Sequence, residues 1–544
     1  MQPQPKREIR RAASKTVDVF PSSRLAALGI AVLLFVANNL NLVRARLDSP
    51  EGWYPAYVTR DLDVAQHLTW VNAMRDHWLA PNFHAAVETQ PGLFSPLMGI
   101  LGHVAKLGID TSLVYTLAQF LLYFAGTYSL LWCLRIFTTS RMQAYAVLVC
   151  MLCVFSARAF AGLALFVAGR TRASPVSYLE RDGFLFHGPL TLTLGTVSVF
   201  VSLALIASYV RTRKNSFLVS AAVMTALSGL LHPFEVFAIT AGATLSFICI
   251  GWPRFRRPLI ETLVVCVPGV LAVLPYVWFS LRVDWLGPIT RRNQLGVDPL
   301  PYIFLELGIP ATIALAVLVA GPRMRDPLDI VLQCWFVGTL VMLNVPGLPY
   351  RWHLADGFSL ITALLLVRQF STLPPLKDWL AKHRGFAVTA AGLVLAFGLG
   401  IHTVHRYVAF RDGNQAGGEA LVSQEEARTI TWLREHAKPE ELALVPPESA
   451  PWVATVPIHS FASHWLFSGD YHPQLQKVSE FYNGAMGDDG VRAFLRGTGV
   501  NYVAVPFGSP ALKSLGAENR VAQIGSWTIY YFPENRMHPY PEHR

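Results

Sequence analysis

Asp61, Asp63 and His67 stand within one short stretch, Tyr57-Val58-Thr59-Arg60-Asp61-Leu62-Asp63-Val64-Ala65-Gln66-His67. Asp63 and His67 are four apart, so on a helix they share a face, and Asp61 flanks its start. Two carboxylates and an imidazole so placed can coordinate a divalent cation, or one Asp can take a proton from an acceptor hydroxyl. The same residues also suit a helix from Leu62 to His77 that Asp61 caps while the others face water. A second polar stretch, 169–188, carries Arg170, Arg172, Glu180, Arg181, Asp182 and His187, a mixture that either serves a site or solvates a loop. Arg158 precedes it inside an apolar run, where an ionisable group is costly unless paired or facing a wet cavity.

Two turns between apolar segments stand out as well. One is Leu231-His232-Pro233-Phe234-Glu235; the other is Pro349-Tyr350-Arg351-Trp352-His353, followed by Asp356. Arg351 among aromatic residues suits a phosphate at lipid-headgroup level, because guanidinium matches phosphate oxygens bidentately. His353 beside it and the deeper Arg158 complete a basic set for such a lipid phosphate. An aromatic belt with a snorkelling Arg accounts for the same turn without a ligand. Glu306, near a helix end, is a weaker candidate of the same kind.

These residues are positioned by apolar segments. The chain has 544 residues, 53% of them hydrophobic and 15% charged, against roughly 25% charged in soluble proteins. The apolar excess falls into stretches long enough to cross a bilayer. Spans are expected near 25–43, 112–137, 142–168, 189–210, 216–233, 235–251, 259–282, 302–320, 328–345, 354–370 and 386–404, eleven in all. The first resembles a signal peptide, but its length and Asn38, Asn39 and Asn41 in place of a small-residue cleavage site make it a retained span. The Lys/Arg clusters at 6–15, 211–214, 254–257, 323–325 and 377–384 then fall on one side, the cytoplasmic one by the positive-inside rule. They account for the net charge of +10 without a nucleic-acid partner, since residues 406–544 hold 12 Lys+Arg against 15 Asp+Glu. Residues 1–24 form a cytoplasmic basic tail, 25–405 the membrane domain with its first external loop at 44–111, and 406–544 an external domain. Leu93 to Ile109 is apolar but carries His103 and Lys106, and reads as an interfacial or re-entrant helix. The six cysteines lie in or beside apolar segments and imply neither a disulfide framework nor a metal site.

After Val404 the composition is that of a small α/β domain. Ser423, three residues before Glu426, makes a capping-box start to a helix ending near His436. A strand follows at Leu442 to Val445, then a loop at 446–473, a helix at 489–497, a strand at Asn501 to Val505 and a hairpin from Val521 to Phe532. The fold class is therefore mainly α, a polytopic helical bundle with a small extracytoplasmic α/β domain. No P-loop, G-x-G-x-x-G, H-E-x-x-H or G-x-S-x-G is present, so nucleotide-driven, metalloprotease and serine-hydrolase chemistry lack their signatures.

A first span followed by a long external loop with acids, many further spans and an external tail resembles the GT-C superfamily of membrane glycosyltransferases, which includes protein mannosyltransferases and oligosaccharyltransferase subunits. The tail is similar to bacterial members in the helix Glu425 to His436 leading to Leu442 to Val445, and in Gly499-Val500-Asn501-Tyr502-Val503-Ala504-Val505. The resemblance implies transfer of a sugar, with inversion, from a polyprenyl-phosphate-linked donor to a glycan, lipid or protein acceptor outside a bacterial inner membrane. It gives Asp61 or Asp63 the role of base or metal ligand, makes Glu180 or Asp182 the acid of a second loop, and makes Arg351 the group that holds the carrier phosphate. A divalent cation, Mg or Mn, is the implied cofactor, with His67 a further ligand by its spacing. In one respect the chain departs from the family, whose acids follow the first span closely, whereas Asp61 lies well beyond Val43. A transporter or flippase of lipid-linked saccharide and a non-catalytic envelope accessory protein are the alternatives.

Overall fold

The computed structural model describes residues 23–48, 62–152, 190–292, 300–321, 326–348, 351–371, 423–456, 458–464, 467–468 and 471–539, with isolated positions between 378 and 393. The protein is mainly helical with a small carboxy-terminal sheet, and it divides into two compact units.

The first unit comprises residues 1–38, 119–273 and 294–405. Its centre is the helix Leu190–Thr212, whose long apolar sequence is mostly buried among neighbours. Glu235–Gly251 packs against Pro327–Leu343 at very short range: a side chain on Gly242 would meet the Trp335 ring, and one on Gly338 would meet the Gly242 backbone. Asn215–Leu231 approaches Arg256–Arg282 in the same way, through Gly229 and Gly269. Small residues at such crossings let helices gain dispersion contacts that need no help from water. Toward the outside, Arg256–Arg282 exposes Leu259, Ile260, Leu263, Val267, Val270 and Leu271, a continuous apolar face that suits lipid rather than water.

Among the described residues three helices are long and apolar enough to cross a membrane: Thr111–Phe137, Leu190–Thr212 and Arg256–Arg282. Asn215–Leu231, Glu235–Gly251 and Pro327–Leu343 are shorter, at 17 residues each, and reach roughly 26 Å. Much of the spans expected at 142–168 and 386–404 lies outside the described residues.

The second unit comprises residues 39–118, 274–293 and 406–544. Its sheet runs in the order His459–Ser460, Leu442–Leu444, Tyr502–Pro506, Trp527–Tyr531 and Arg520–Ile524, the first three parallel and the rest antiparallel. Ser423 caps Gln424–His436, its hydroxyl accepting from the Glu426 N–H at 3.1 Å while the Glu426 carboxylate returns to the Ser423 N–H. Tyr471–Tyr482 and Asp488–Thr498 cover the core of Leu442, Leu444, Val478, Phe481, Leu495 and Val503.

The first loop belongs to this unit as an integral part. Val87–Glu88 pairs in parallel with His538–Pro539, the Ser460 N–H donates to Phe83 O at 2.9 Å, and His459 Nδ1 donates to Ala85 O at 3.0 Å. Asn72 and Asn82 donate their side-chain amides to Thr455 O and Phe467 O, at 2.6 and 2.9 Å. The helix Pro96–Ala105 is shorter than the apolar run suggests, because Pro96 can occupy only a first turn and Leu93–Phe94 is drawn into a strand with Leu79–Ala80. Its 10 residues span about 15 Å. The two residues at odds with a membrane span are engaged locally: His103 stacks on Trp78 at 4.5 Å, and Lys106 pairs with Asp76 at 2.8 Å.

Gly102 sits where Pro96–Ala105 meets Leu62–Ala73, and a Cβ there would fall 2.6 Å from Val71 O and 2.8 Å from Met74 O. Gly102→Ala is therefore expected to destabilise the protein by about 1–3 kcal/mol through overpacking. Gly490→Ala, in a helix and with only Met486 Cβ nearby at an ordinary 3.6 Å, is expected to be neutral or stabilising by roughly 0.5–1 kcal/mol. Thermal melts of the two purified full-length variants check the contrast.

Candidate functional site

Of the residues singled out by sequence, Asp61, Arg158, Glu180 and Asp182 lie outside the described residues, as does the side chain of Arg351. Asp63 is exposed in the first turn of Leu62–Ala73, where a carboxylate complements the positive end of the helix. His67, one turn on, is buried; its Nδ1 lies 2.8 Å from the Tyr115 hydroxyl and its ring rests against Trp70. The spacing of four thus joins a solvent-facing acid to an imidazole fixed in the core.

The structure brings the two distant turns of the helical unit together. At the first, the His232 N–H closes Asn215–Leu231 on Ser228 O at 2.8 Å, and the extended backbone of His232 before Pro233 ends the helix. The next helix, Glu235–Gly251, begins at once. His232 Nδ1 consequently lies 2.8 and 2.7 Å from the two oxygens of Glu235, which has no solvent exposure. At the second turn, Arg351–Ala355 forms a short 3-10 helix, and Gly357 in the left-handed conformation (φ 76°) starts Phe358–Phe370. His353 Nδ1 lies 3.7 Å from Asp356 Oδ2 across that turn. The His353 ring stacks on Phe234 and meets the His232 ring edge-on, each with centroids 5.1 Å apart.

A third element completes the arrangement. Gly195 of Leu190–Thr212 faces both acids: a Cβ there would lie under 3 Å from Glu235 Oε1 and from Asp356 Oδ2. The two carboxylates therefore converge on one glycine backbone. Ligand-capable atoms of His232, Glu235 and His353 all lie within 4.8 Å of one another. Sequence reading picked out both turns and assigned His353 to a lipid phosphate, but it did not join them. The available signal was a repeated His-x-x-acid pattern at helix starts, His232 to Glu235 and His353 to Asp356.

In the second unit, three imidazoles line the seam between loop and sheet. His84 Nδ1 lies 2.9 Å from Ser463 Oγ, its ring is 5.3 Å from that of His464, and its carbonyl accepts from Ser468 Oγ at 2.7 Å. Burial pushes His459 down to about 4 and His464 down to about 3, and holds His84 well below the ordinary imidazole range, with His464 and His459 adding to the effect.

No family model and no curated protein sequence matches the chain. Among solved structures it is similar to the oligosaccharyltransferase of Archaeoglobus fulgidus, determined with a disulfide-tethered acceptor peptide containing the NVT sequon, at 14% identity and a TM-score of 0.47 over 89% of this chain and 69% of that one.

The three seam histidines carry a pH dependence with a definite sign. Folding holds them neutral, so on acidification the unfolded chain takes up protons first and stability falls as pH drops. The melting temperature is expected to be flat above about pH 7 and to fall progressively between about 6.5 and 3, the interval set by the ordinary value and the lowered ones. Tryptophan fluorescence melts of wild type and His464→Gln check this, the variant showing the shallower fall. A melting temperature that rises on acidification would mean that the imidazoles are charged in the fold.

Proposed function

We propose that this chain is a membrane glycosyltransferase that moves a sugar from a polyprenyl-phosphate-linked donor to an envelope glycan, lipid or protein acceptor on the outer face of a bacterial inner membrane. The observation that carries the reading is the union of the first loop with the tail. The loop bearing Asp61 and Asp63 is tied to the sheet by strand pairing and by Asn72, Asn82 and His459. An acid at the start of Leu62–Ala73 is thereby held on a rigid support, as positioning of a reacting hydroxyl requires.

In this reading Asp61 or Asp63 orients the acceptor hydroxyl and takes its proton as oxygen attacks the anomeric carbon. The bond to the lipid phosphate breaks on the opposite side, so configuration inverts. Arg351, with Arg158 and His353, holds the phosphate oxygens that gain charge. Exposed Asp63 is a hard oxygen donor of the kind that Mg or Mn prefers. A divalent cation held by Asp61 and Asp63, with Glu180 or Asp182, would supply further screening of the leaving group. The transporter alternative calls for broken helices at matched positions. Arg256–Arg282 and Leu300–Val319 instead run as single helices through Pro268, Pro275 and Pro310.

The test is the lipid-linked and surface glycan profile, by mass spectrometry, of cells carrying wild type, no protein, or Asp61→Asn/Asp63→Asn at equal expression. Deletion and the double variant are both expected to lose one sugar from a defined glycan and to accumulate its lipid-linked donor. An unchanged glycan in the double variant overturns the assignment.

A further inference from the structure

We propose that His232, Glu235, His353 and Asp356 bind one divalent transition-metal ion, at a site separate from the acids of the first loop. Three features of the cluster point to a cation. Charge comes first: two carboxylates, one of them without solvent exposure, are directed at the same glycine. Two carboxylates so close in a low-dielectric setting are relieved either by a shared proton or by a bound cation. Donor type comes second. Two imidazoles with two carboxylates form a borderline-soft set that suits zinc, manganese or iron rather than magnesium or calcium, which favour oxygen throughout.

Geometry comes third. A tetrahedral ion with bonds of roughly 2.1 Å holds its ligands about 3.4 Å apart. His353 Nδ1 lies 3.7 Å from Asp356 Oδ2, and the His232, Glu235 and His353 donors are confined within 4.8 Å, while the hydrogen bond of His232 Nδ1 to Glu235 at 2.7 and 2.8 Å orients that carboxylate. The rings are also held in place before any ion binds. His353 is stacked on Phe234 and braced by His232, so the ordering entropy that a metal site must overcome is already met by packing. Glycine at 195 is part of the design, because any Cβ would occupy the point on which both carboxylates converge.

The ion would tie the turn between Asn215–Leu231 and Glu235–Gly251 to the turn before Phe358–Phe370, with Gly195 of Leu190–Thr212 packed behind them. The cluster shares His353 with the phosphate-holding set proposed above, so the experiment reads metal rather than sugar. Full-length protein purified in detergent is dialysed against metal-free buffer, its metal content is measured by inductively coupled plasma mass spectrometry, and it is then titrated with cobalt(II). Wild type is expected to retain one ion, or to take up one cobalt(II) with visible d–d absorption. Glu235→Gln, His353→Ala and Gly195→Ala are each expected to lower retention by roughly tenfold or more, while Asp61→Asn/Asp63→Asn retains the ion. The proposal is overturned if wild type neither retains an ion nor gives a cobalt(II) spectrum, or if Glu235→Gln, eluting as a folded monodisperse species, binds as wild type does. It is equally overturned if the ion is lost with the Asp61 and Asp63 side chains and not with Glu235. Should a cluster variant fail to fold, the wild-type cobalt(II) titration decides alone.

Discussion

A charge placed among apolar helices must find its partner within the protein, and that requirement organises the helical unit. Arg368 donates to Asp329 at 2.6 Å, to Asp326 at 2.8 Å and to Phe137 O at 2.7 Å, and so joins three helix ends by one side chain. Glu261 accepts from Tyr209 at 2.5 Å and from Arg257 at 2.8 Å, with Arg213 at 3.6 Å. Removing one member of the buried Arg368–Asp329 pair costs about 3–5 kcal/mol, because the remaining charge has little solvent to return to. Close helix approach at Gly242 and Gly229 depends on the same economy of polar groups: a polar side chain at either crossing would have to be both small and satisfied.

In the second unit the corresponding demand comes from the backbone. The segment from Leu79 to Phe94 has only two-residue strands of its own, too few ladder bonds to satisfy its buried N–H and C=O groups. The sheet domain supplies partners through Ser460, Ser468 and His459, while Asn82 of the loop donates its side chain to Phe467 O in return. A loop that would otherwise be a long, irregular excursion is thus part of a folded body, and its position does not rely on side-chain packing alone.

What sequence made legible follows from locality. The capping box of Ser423 and Glu426, the strand at Leu442 and the hairpin near Ile524 and Trp527 all rest on interactions within a few residues, and each is present. Tyr471–Tyr482 was hidden by His472-Pro473 in a loop rich in turn formers, yet a proline in the first turn forfeits no helical hydrogen bond. The shortening of Leu93 to Ile109 shows the opposite limit: apolar composition marks burial, while Pro96 and strand pairing decide helix length. Helix length is likewise not set by composition alone, since an apolar run fixes burial before it fixes a helix of bilayer length. The meeting of His232 with His353 was not readable, because nothing in either turn specifies which other turn faces it.

The two Arg-centred groups and the His-x-x-acid pair nevertheless differ in kind. An arginine cannot lose its charge in a protein, so Arg368 and Arg257 balance their carboxylates at any pH the cell meets. Imidazoles and carboxyls can instead pass a proton among themselves, at the cost of desolvating four ionisable groups in one place. Well-packed apolar side chains of the same volume would stabilise the helix junction at least as well. Stability alone therefore gives no reason for two histidines, two acids and a bare glycine to meet at one point, and a divalent cation is a ligand whose charge and donor preferences suit the four side chains.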